Sequence, residues 1–434
     1  MKARTVVSLL SALAFVLPLT IRANQDRDRR DGDDRDDRDN RGSEHHKHNV
    51  QTPVRLLGVI PVPGNPITSA DIAWVDPGTE RYYFADRSNF GVDIIDAESN
   101  FFVGRVGGMA GPLPSGGGTV LTNGPGPNGV LVTPNRKLWA GDGNSTVRVA
   151  DVDPDSPNYL NILGSTSTNI PACDDGVAHY CGRADELGFD PKDHVILVAN
   201  NAPRSVAAPH GPTDPYATFI SSTPPYAVLG HLIFAGAGGL EQPLWDSELR
   251  RFWLTVPGPT GGKPAIARID PLSMHIDKTY TLDCLALTGA ASASITGIAL
   301  APFQHLLVAA CGKPIVMSAL TGHVFNVITQ VGGGDEVWHN PGDGRFYVTG
   351  ADTATTVQSL GVIDAETSTW LQNVPDIRGK NPAAFAENNH IFTIVQITAA
   401  MAAAPATDNS TCSQFGLTGR GCIAVFGHTG DDDR

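Results

Sequence analysis

Seven oxygen-bearing residues recur along the sequence at intervals of 39 to 57 residues, and their side chains could bind a cation. They are Asp71, Asn128, Asp185, Glu241, Thr296, Asp335 and Asn381. Carboxylate, carboxamide and hydroxyl oxygens suit calcium or another hard divalent cation. Four carboxylates held close together would repel one another unless a cation or water screened them. If the fold gathers these residues, we expect a metal site formed by Asp71, Asn128, Asp185, Glu241, Asp335 and Asn381.

Two further acids follow members of this set directly. Glu186 and Glu336 could each replace a neighbouring ligand. The alternative to a metal site is a wide, water-filled mouth that is merely polar. The sequence leaves both interpretations open.

Other catalytic chemistry has little support, because the sequence contains neither a GxSxG nucleophile motif nor an HExxH zinc motif. His339 could act as a general base, but a turn histidine packed on an aromatic ring is the favoured interpretation. Trp74, Trp245 and Trp338 are expected to pack between structural units rather than to stack on a sugar. The catalytic residues are therefore unknown, and whether the protein is an enzyme stays open.

The six cysteines are predicted to form three disulfides. Two pairs are close in sequence, Cys173 with Cys181 and Cys412 with Cys422, and these pairings leave Cys284 with Cys311. Metal binding is the rival interpretation, but no CxxC motif occurs, and without CxxCH a covalent c-type haem is excluded. Disulfides are typical of oxidising compartments outside the cytoplasm. We expect neither a haem nor a nucleotide cofactor.

Composition and charge restrict the class of protein. The 434 residues include 47 Gly and 32 Pro, and 41% are hydrophobic, which is too apolar for a disordered chain and too rich in Gly and Pro for a helical one. The net charge is −14, whereas a nucleic-acid partner requires a basic face. We therefore expect a folded β-rich protein that does not bind nucleic acid.

The ends of the chain differ from its middle. Residues 1–23 have the layout of a secretory signal peptide, with two basic residues before an apolar run that is too short to span a bilayer. A membrane anchor is the alternative for this segment. Residues 24–53 form a charged, disordered linker in this interpretation, and residues 429–434 form an acidic tail. The sequence thus predicts a secreted or periplasmic protein without a stable membrane span.

Residues 54–428 contain a repeated pattern of short β-rich runs separated by turns. The cleanest copies are DIAWVDPGTERYYFADRSNFGVDIIDAESNFFVGRV from Asp71 and DEVWHNPGDGRFYVTG from Asp335. Aligned turns give seven copies, at Asp76-Pro77, Thr133-Pro134, Asp190-Pro191, Asp246-Ser247, Ala301-Pro302, Asn340-Pro341 and Ala386-Glu387. Units of four short strands repeated at this spacing predict an all-β, seven-bladed β-propeller.

The orphan strand Val54–Pro63 precedes the first unit, and the seventh unit lacks a fourth strand. Placing the orphan strand in the last blade removes an exposed sheet edge. The first strand of each blade lines the central channel of a propeller, so the seven recurring residues should surround one mouth of it. We call these seven residues the axial ring.

The blade sequences resemble those of a known group. DPGTERYYFAD, VDIIDAES, TPNRKLWAGDGNSTVRVADV and NPGDGRFYVTG are similar to repeats of YncE-like, YVTN-type secreted seven-bladed propellers. That resemblance implies a surface or periplasmic binding protein and implies no particular chemistry.

A second resemblance concerns LEQPLWDSELRRFWLTV and PNGVLVTPNRKLWAGD, which are similar to blade openings of the gluconolactonase and senescence-marker family. It implies an axial divalent cation, usually calcium, and lactone hydrolysis at that metal. The positions carried over are Glu241 and Asn128, with Asp335 or Asp185 as the acidic partner.

Two functions follow from these observations. The first is a secreted binding or scaffold propeller, expected to be a monomer, that presents its loops to a small molecule or a protein, with or without an axial cation. The second is a metal-dependent, lactonase-like hydrolase with its site at the axial mouth. Geometry of the site, rather than the fold, must distinguish them.

Overall fold

The structure is a computed structural model, and it describes residues 52–110, 126–171, 182–201, 214–258, 262–290 and 294–428. All of these residues belong to one unit, Thr52–Arg434. The predicted signal peptide, nearly all of the predicted linker, the acidic tail and the pair Cys173 and Cys181 lie outside the described residues. Those expectations therefore stay predictions.

Twenty-eight strands form seven antiparallel sheets of four among the described residues. Blade 1 contains β2 (Ala73–Asp76), β3 (Arg81–Asp86), β4 (Gly91–Asp96) and β5 (Phe101–Val106). Blade 2 contains β6 (Val130–Thr133), β7 (Lys137–Asp142), β8 (Thr146–Asp151) and β9 (Ile162–Ser167). Blade 3 contains β10 (Arg183–Asp190), β11 (Val195–Asn201), β12 (Tyr216–Ser221) and β13 (Val228–Ile233).

The remaining blades repeat this arrangement. Blade 4 contains β14 (Pro243–Asp246), β15 (Arg251–Val256), β16 (Ala265–Asp270) and β17 (His275–Thr281). Blade 5 contains β18 (Ile298–Ala301), β19 (Leu306–Ala310), β20 (Pro314–Ser318) and β21 (Val324–Val327). Blade 6 contains β22 (Val337–Asn340), β23 (Arg345–Ala351), β24 (Gln358–Asp364) and β25 (Thr369–Pro375). Blade 7 contains β26 (Gly379–Phe385), β27 (His390–Val395), β28 (Cys422–His428) and β1 (Val54–Ile60).

In the part of the chain that the structure describes, two short helices lie outside the blades, α1 (Cys284–Thr288) and α2 (Ala399–Ala403), together with short 3₁₀ turns such as Arg87–Asn89. Among the described residues, no helix has the length and apolarity needed to cross a bilayer.

The seven blades close into a ring, because the innermost strand of every blade contacts the innermost strands of both neighbours. The prediction of a seven-bladed propeller is therefore confirmed. The predicted turns all lie at the end of an innermost strand. Each of these turns contains one residue with a left-handed backbone, for example Glu80 (φ 55°) in blade 1 and Arg250 (φ 54°) in blade 4.

Closure of the ring uses the two ends of the described chain. β1 pairs antiparallel with β28, from Val54 opposite His428 to Ile60 opposite Ile423. The side chain of Gln372 in blade 6 also holds β1, since its amide accepts from the Val54 N–H at 3.2 Å and donates to the Val54 carbonyl at 2.7 Å. The predicted placement of the orphan strand in the last blade is confirmed.

The core consists of apolar clusters between neighbouring blades. Between blades 7 and 1, Tyr82 stacks on Phe392 with ring centroids 5.0 Å apart, and both side chains are fully buried. The second and third strands supply most of this core, as in β3 and β20, whereas outer strands such as β17 are largely exposed.

Two of the predicted disulfides are present. Cys284 at the start of α1 is joined to Cys311 after β19, and Cys412 is joined to Cys422 at the start of β28. The first disulfide connects the segment after blade 4 to blade 5, and the second connects the last long loop to the closing sheet.

Candidate functional site

The axial ring lies near the start of the innermost strands, and in six of the seven blades the backbone there forms a β-bulge. In blade 1 the N–H of Asp71 donates to the carbonyl of Ala85 at 2.9 Å, and the N–H of Ala85 donates to the carbonyl of Ile72 at 3.0 Å. Two inner residues thus face one residue of the second strand. Blades 2, 4 and 5 repeat this pairing, and the register of blades 3 and 7 shifts at the same place. Bulges commonly redirect side chains at functional sites.

Glycines next to the ring allow the blades to approach closely. A Cβ on Gly297 would lie 2.6 Å from the carbonyl oxygen of Asp335 in the next blade. A Cβ on Gly129 would collide with the carbonyl oxygen of Asp185 in the same way. Any larger residue at these positions would separate the inner strands.

The uncharged members of the ring connect neighbouring blades. The amide of Asn381 donates to the backbone carbonyl of Asp71 at 3.1 Å, and the amide of Asn128 donates to that of Ala184 at 3.1 Å. The hydroxyl of Thr296 donates to the carbonyl of Gly334 at 2.6 Å. These bonds hold the ring residues of successive blades in register.

Three basic side chains that the sequence analysis did not identify enter the ring. Arg87 donates to a carboxylate oxygen of Asp71 and, through Nε, to Oδ1 of Asn128 at 3.0 Å. Arg183 donates through Nε to Asp185 at 2.8 Å. All three partners are buried ring residues.

Lys380 is the third basic residue. Its Nζ donates to the carbonyl of Ala70 at 3.1 Å and lies 3.4 Å from Asp335 Oδ2 and 3.7 Å from Asp71 Oδ1. Asp335 has the most exposed side chain of these pairs, at 40%, so the ring opens to solvent on this side.

A second layer of polar side chains comes from the residues that follow Asp185, Glu241 and Asp335. This second layer contains Glu186, Gln242 and Glu336. The carboxylate of Glu336 accepts from the backbone N–H of Ala73 at 3.1 Å, so it extends past blade 7 to blade 1. Gln242 Oε1 similarly accepts from Ile298 N–H at 2.7 Å. In blades 3 and 4 the bulge explains the layer, because it directs two consecutive side chains toward the axis.

Burial and mutual repulsion perturb the carboxyl groups. Burial, with the nearby carboxylates of Asp185 and Asp335, raises the pKa of Glu241 to about 8. Burial and the neighbouring acids also raise the pKa of Glu186 and of Glu336 well above the ordinary value. Burial is the largest single influence on Asp335 and would raise its pKa, but Lys380, the hydrogen bond from Asn381 and the charge of Arg183 together lower that pKa below its ordinary value.

The hydrogen bonds, ion pairs and electrostatic interactions described above connect the seven ring residues with Glu186 and Glu336. The ring and second layer contain six carboxyl groups and three cations, so acids outnumber bases by three. The acceptors Glu186 Oε2 and Asn381 Oδ1 are buried and receive no hydrogen bond from any described residue.

The metal site itself stays a prediction. Three predicted ligands, Asp71, Asp185 and Asp335, form ion pairs with basic side chains. Within the part of the chain that the structure describes, no group of three or more His, Cys, Asp or Glu side chains has the arrangement of a metal site.

The aromatic candidates pack as the sequence analysis favoured. His339 lies 4.9 Å from the ring of Phe346, and burial lowers its pKa to about 4. Trp245 packs on Phe252 of its own blade and borders the apolar cluster between blades 3 and 4. Trp74 of blade 1 and Trp338 of blade 6 meet edge to face at 5.5 Å, which joins two blades that flank blade 7.

The perturbed glutamate makes a testable prediction about pH. A carboxyl with a raised pKa keeps its proton in the folded state while the unfolded chain has lost it, so stability falls as pH rises from about 4.5 to about 8. We expect the free energy of unfolding to fall less in Glu241→Gln than in wild type between pH 5 and pH 8, with a difference on the order of 3 kcal/mol at pH 8. Urea unfolding at pH 5 and pH 8 measures it. Glu248→Gln, an exposed change in the same blade, is the control, and a wild-type stability that rises between pH 5 and 8 would contradict the expectation.

The fold and site together define the class of protein: a seven-bladed β-propeller with a charged axial mouth. Among solved structures, a chain of the "Crystal Structure of Mitotic Checkpoint Complex" is similar, with a TM-score of 0.53 and 14% identity over 82% of this chain and 93% of that one. A likeness at this identity supports the fold alone. No family model matches the sequence, and no curated protein matches it.

Proposed function

We propose that the protein is a binding propeller whose axial ring holds a small cationic ligand. The observation that carries this proposal is the excess of three acids over bases in a mostly buried site, where Glu186 Oε2 has no hydrogen-bond partner among the described residues. Buried acids that repel one another reduce stability, and natural folds seldom keep them without a use. The YncE-like resemblance and a secreted or periplasmic location agree with the proposal, as do the two disulfides.

Calcium, the cation expected from the sequence, is one candidate ligand. A ligand that binds only the folded state raises the melting temperature, by a few degrees when its concentration is about 100 times its Kd. We expect a cation, tested as calcium chloride and as propylammonium chloride, to raise the melting temperature of wild type above that in sodium chloride of equal ionic strength. The shift should be smaller in the Glu241→Gln, Asp335→Asn double variant.

For each variant, the melting temperature with ligand is compared with that of the same variant without ligand. This is necessary because the substitutions alter stability even when no ligand is present. Glu248→Gln should behave as wild type. Equal shifts in wild type and the double variant, or none in wild type, would remove the axial ring as a cation site.

A metal-dependent hydrolase stays the alternative. The positions carried over from the gluconolactonase resemblance all belong to the axial ring: Asn128 and Glu241, with Asp185 or Asp335. The Glu241 carboxyl interacts with those of Asp185 and Asp335, which supports this alternative. Such an enzyme needs a metal ion that activates water. Turnover of a lactone that requires calcium and is lost in Glu241→Gln would favour this function over simple binding.

A further inference from the structure

The proposed function leaves open which kind of cation the ring would accept. Six carboxyl groups meet three basic side chains in the ring and second layer. Burial and neighbouring acids raise the pKa of Glu186, Glu241 and Glu336, so these three carboxyls favour their protonated forms while the ring is empty. A bound cation favours the ionised form of a nearby carboxyl, and a ligand with two positive charges can stabilise more of these carboxylates than a ligand with one.

The two acceptors without hydrogen bonds indicate where donors are needed. Glu186 belongs to blade 3 and Asn381 to blade 7, and in a closed ring of seven blades these are as far apart as two blades can be. The side chain of Glu186 lies among the axial acids, since its carboxyl interacts with those of Glu336 and Asp335. Asn381 enters the ring from the other side, where its amide nitrogen lies 3.4 Å from Asp335 Oδ2. Two acceptors from two different blades therefore lack donors among the described residues.

The chain already places one ammonium group in this ring. Lys380 Nζ lies 3.1 Å from the carbonyl oxygen of Ala70, 3.4 Å from a carboxylate oxygen of Asp335 and 3.7 Å from one of Asp71. Those separations suit an ammonium group, which donates hydrogen bonds in three directions. Calcium instead requires six to eight oxygens at about 2.4 Å, and the described acids do not form such a group.

We propose that the axial ring binds a short aliphatic diamine, with one ammonium group donating to Glu186 and the other to Asn381. This inference rests on the proposed function, because it names the chemical class of the cation. The carboxylates of the ring and second layer supply the charge, and the two acceptors set the positions of the nitrogens. An organic dication meets both requirements, whereas a monoamine meets only one.

Isothermal titration at pH 8 and low ionic strength tests the inference with 1,3-diaminopropane, 1,4-diaminobutane and 1,5-diaminopentane, with propylammonium and calcium chloride as comparators. We expect at least one diamine to bind about tenfold or more tightly than propylammonium, since the second contact is intramolecular. Glu186→Gln should weaken diamine binding at least tenfold.

Control variants keep the test interpretable. Glu336→Gln retains an acceptor for the Ala73 N–H and should also weaken binding, whereas the exposed Glu248→Gln should not. Suppose that calcium binds, that its binding is weakened by substitution of Glu186 or Glu241, and that no diamine binds. The diamine inference is then wrong, while the axial ring remains a cation site. A diamine that binds no more tightly than propylammonium also overturns the inference. If no cation binds, or if all binding is unchanged in the axial variants, both the inference and the proposed function fail.

Discussion

A chain that begins at residue 64, and so lacks β1, should lose its stable fold. Burial of Val54 and Ile60 would be lost, at about 1.5–3 kcal/mol for each side chain. β28, whose seven residues are all buried, would become an exposed sheet edge. We expect a loss of at least about 5 kcal/mol, measured as a collapse of the urea midpoint or as aggregation on expression.

A chain that begins at Thr52 is the matched control, because the folded unit starts there. It should keep the wild-type midpoint. A synthetic peptide of residues 52–63, added to the truncated chain, should restore part of the stability. If the chain from residue 64 unfolds at the wild-type midpoint, β1 does not close the propeller.

Removing a basic residue from the ring should have the second largest effect. Arg183 pairs with the buried Asp185 at 2.8 Å and also interacts with Asp71 and Glu241. Arg183→Met would leave the Asp185 carboxylate without its ion pair in an acidic surrounding, a change that typically costs about 3–5 kcal/mol. Urea unfolding at pH 7 measures the loss.

A second substitution in the same ion pair provides the control. Adding Asp185→Asn to Arg183→Met removes the carboxylate that has lost Arg183 and should recover at least half of the lost stability. A single variant that costs less than about 1 kcal/mol, or a double variant as unstable as the single, would show that Arg183 does not balance the axial acids.

The propeller could be predicted from the sequence because its signals are local. The turn after each innermost strand contains a residue with a left-handed backbone, three or four positions after the strand ends. This turn occurs once in each of the seven blades. Closure was predictable because a fold without a partner for Val54–Ile60 would expose a sheet edge.

The ring was predictable only in part. Spacing identifies one residue for each blade, and Asp71 and Glu241 follow from it. It does not show which long side chains from other positions reach the axis, so Arg87 and Lys380 were missed. Lys380 directly precedes Asn381, and a basic residue next to a ring member is the signal that could have indicated it.

The second layer shows a different limit. Period-two alternation predicts that consecutive side chains point to opposite faces of a sheet. The β-bulge breaks that rule at Asp185 and Glu186, and it depends on pairing with the second strand rather than on a local residue type. The sequence therefore identifies Glu186 and Glu336 as neighbours of the ring but does not predict that they form a separate layer.

A crystal structure of wild type, grown at pH 8 with saturating 1,4-diaminobutane and calcium chloride, tests the central claim most directly. The account predicts density for a cation inside the axial ring, with a ligand atom within about 3 Å of Glu186 Oε2. Density for the diamine would also support the choice of ligand. A ring that contains only water, at concentrations that raise the melting temperature, would contradict the claim that the axial mouth is the cation site.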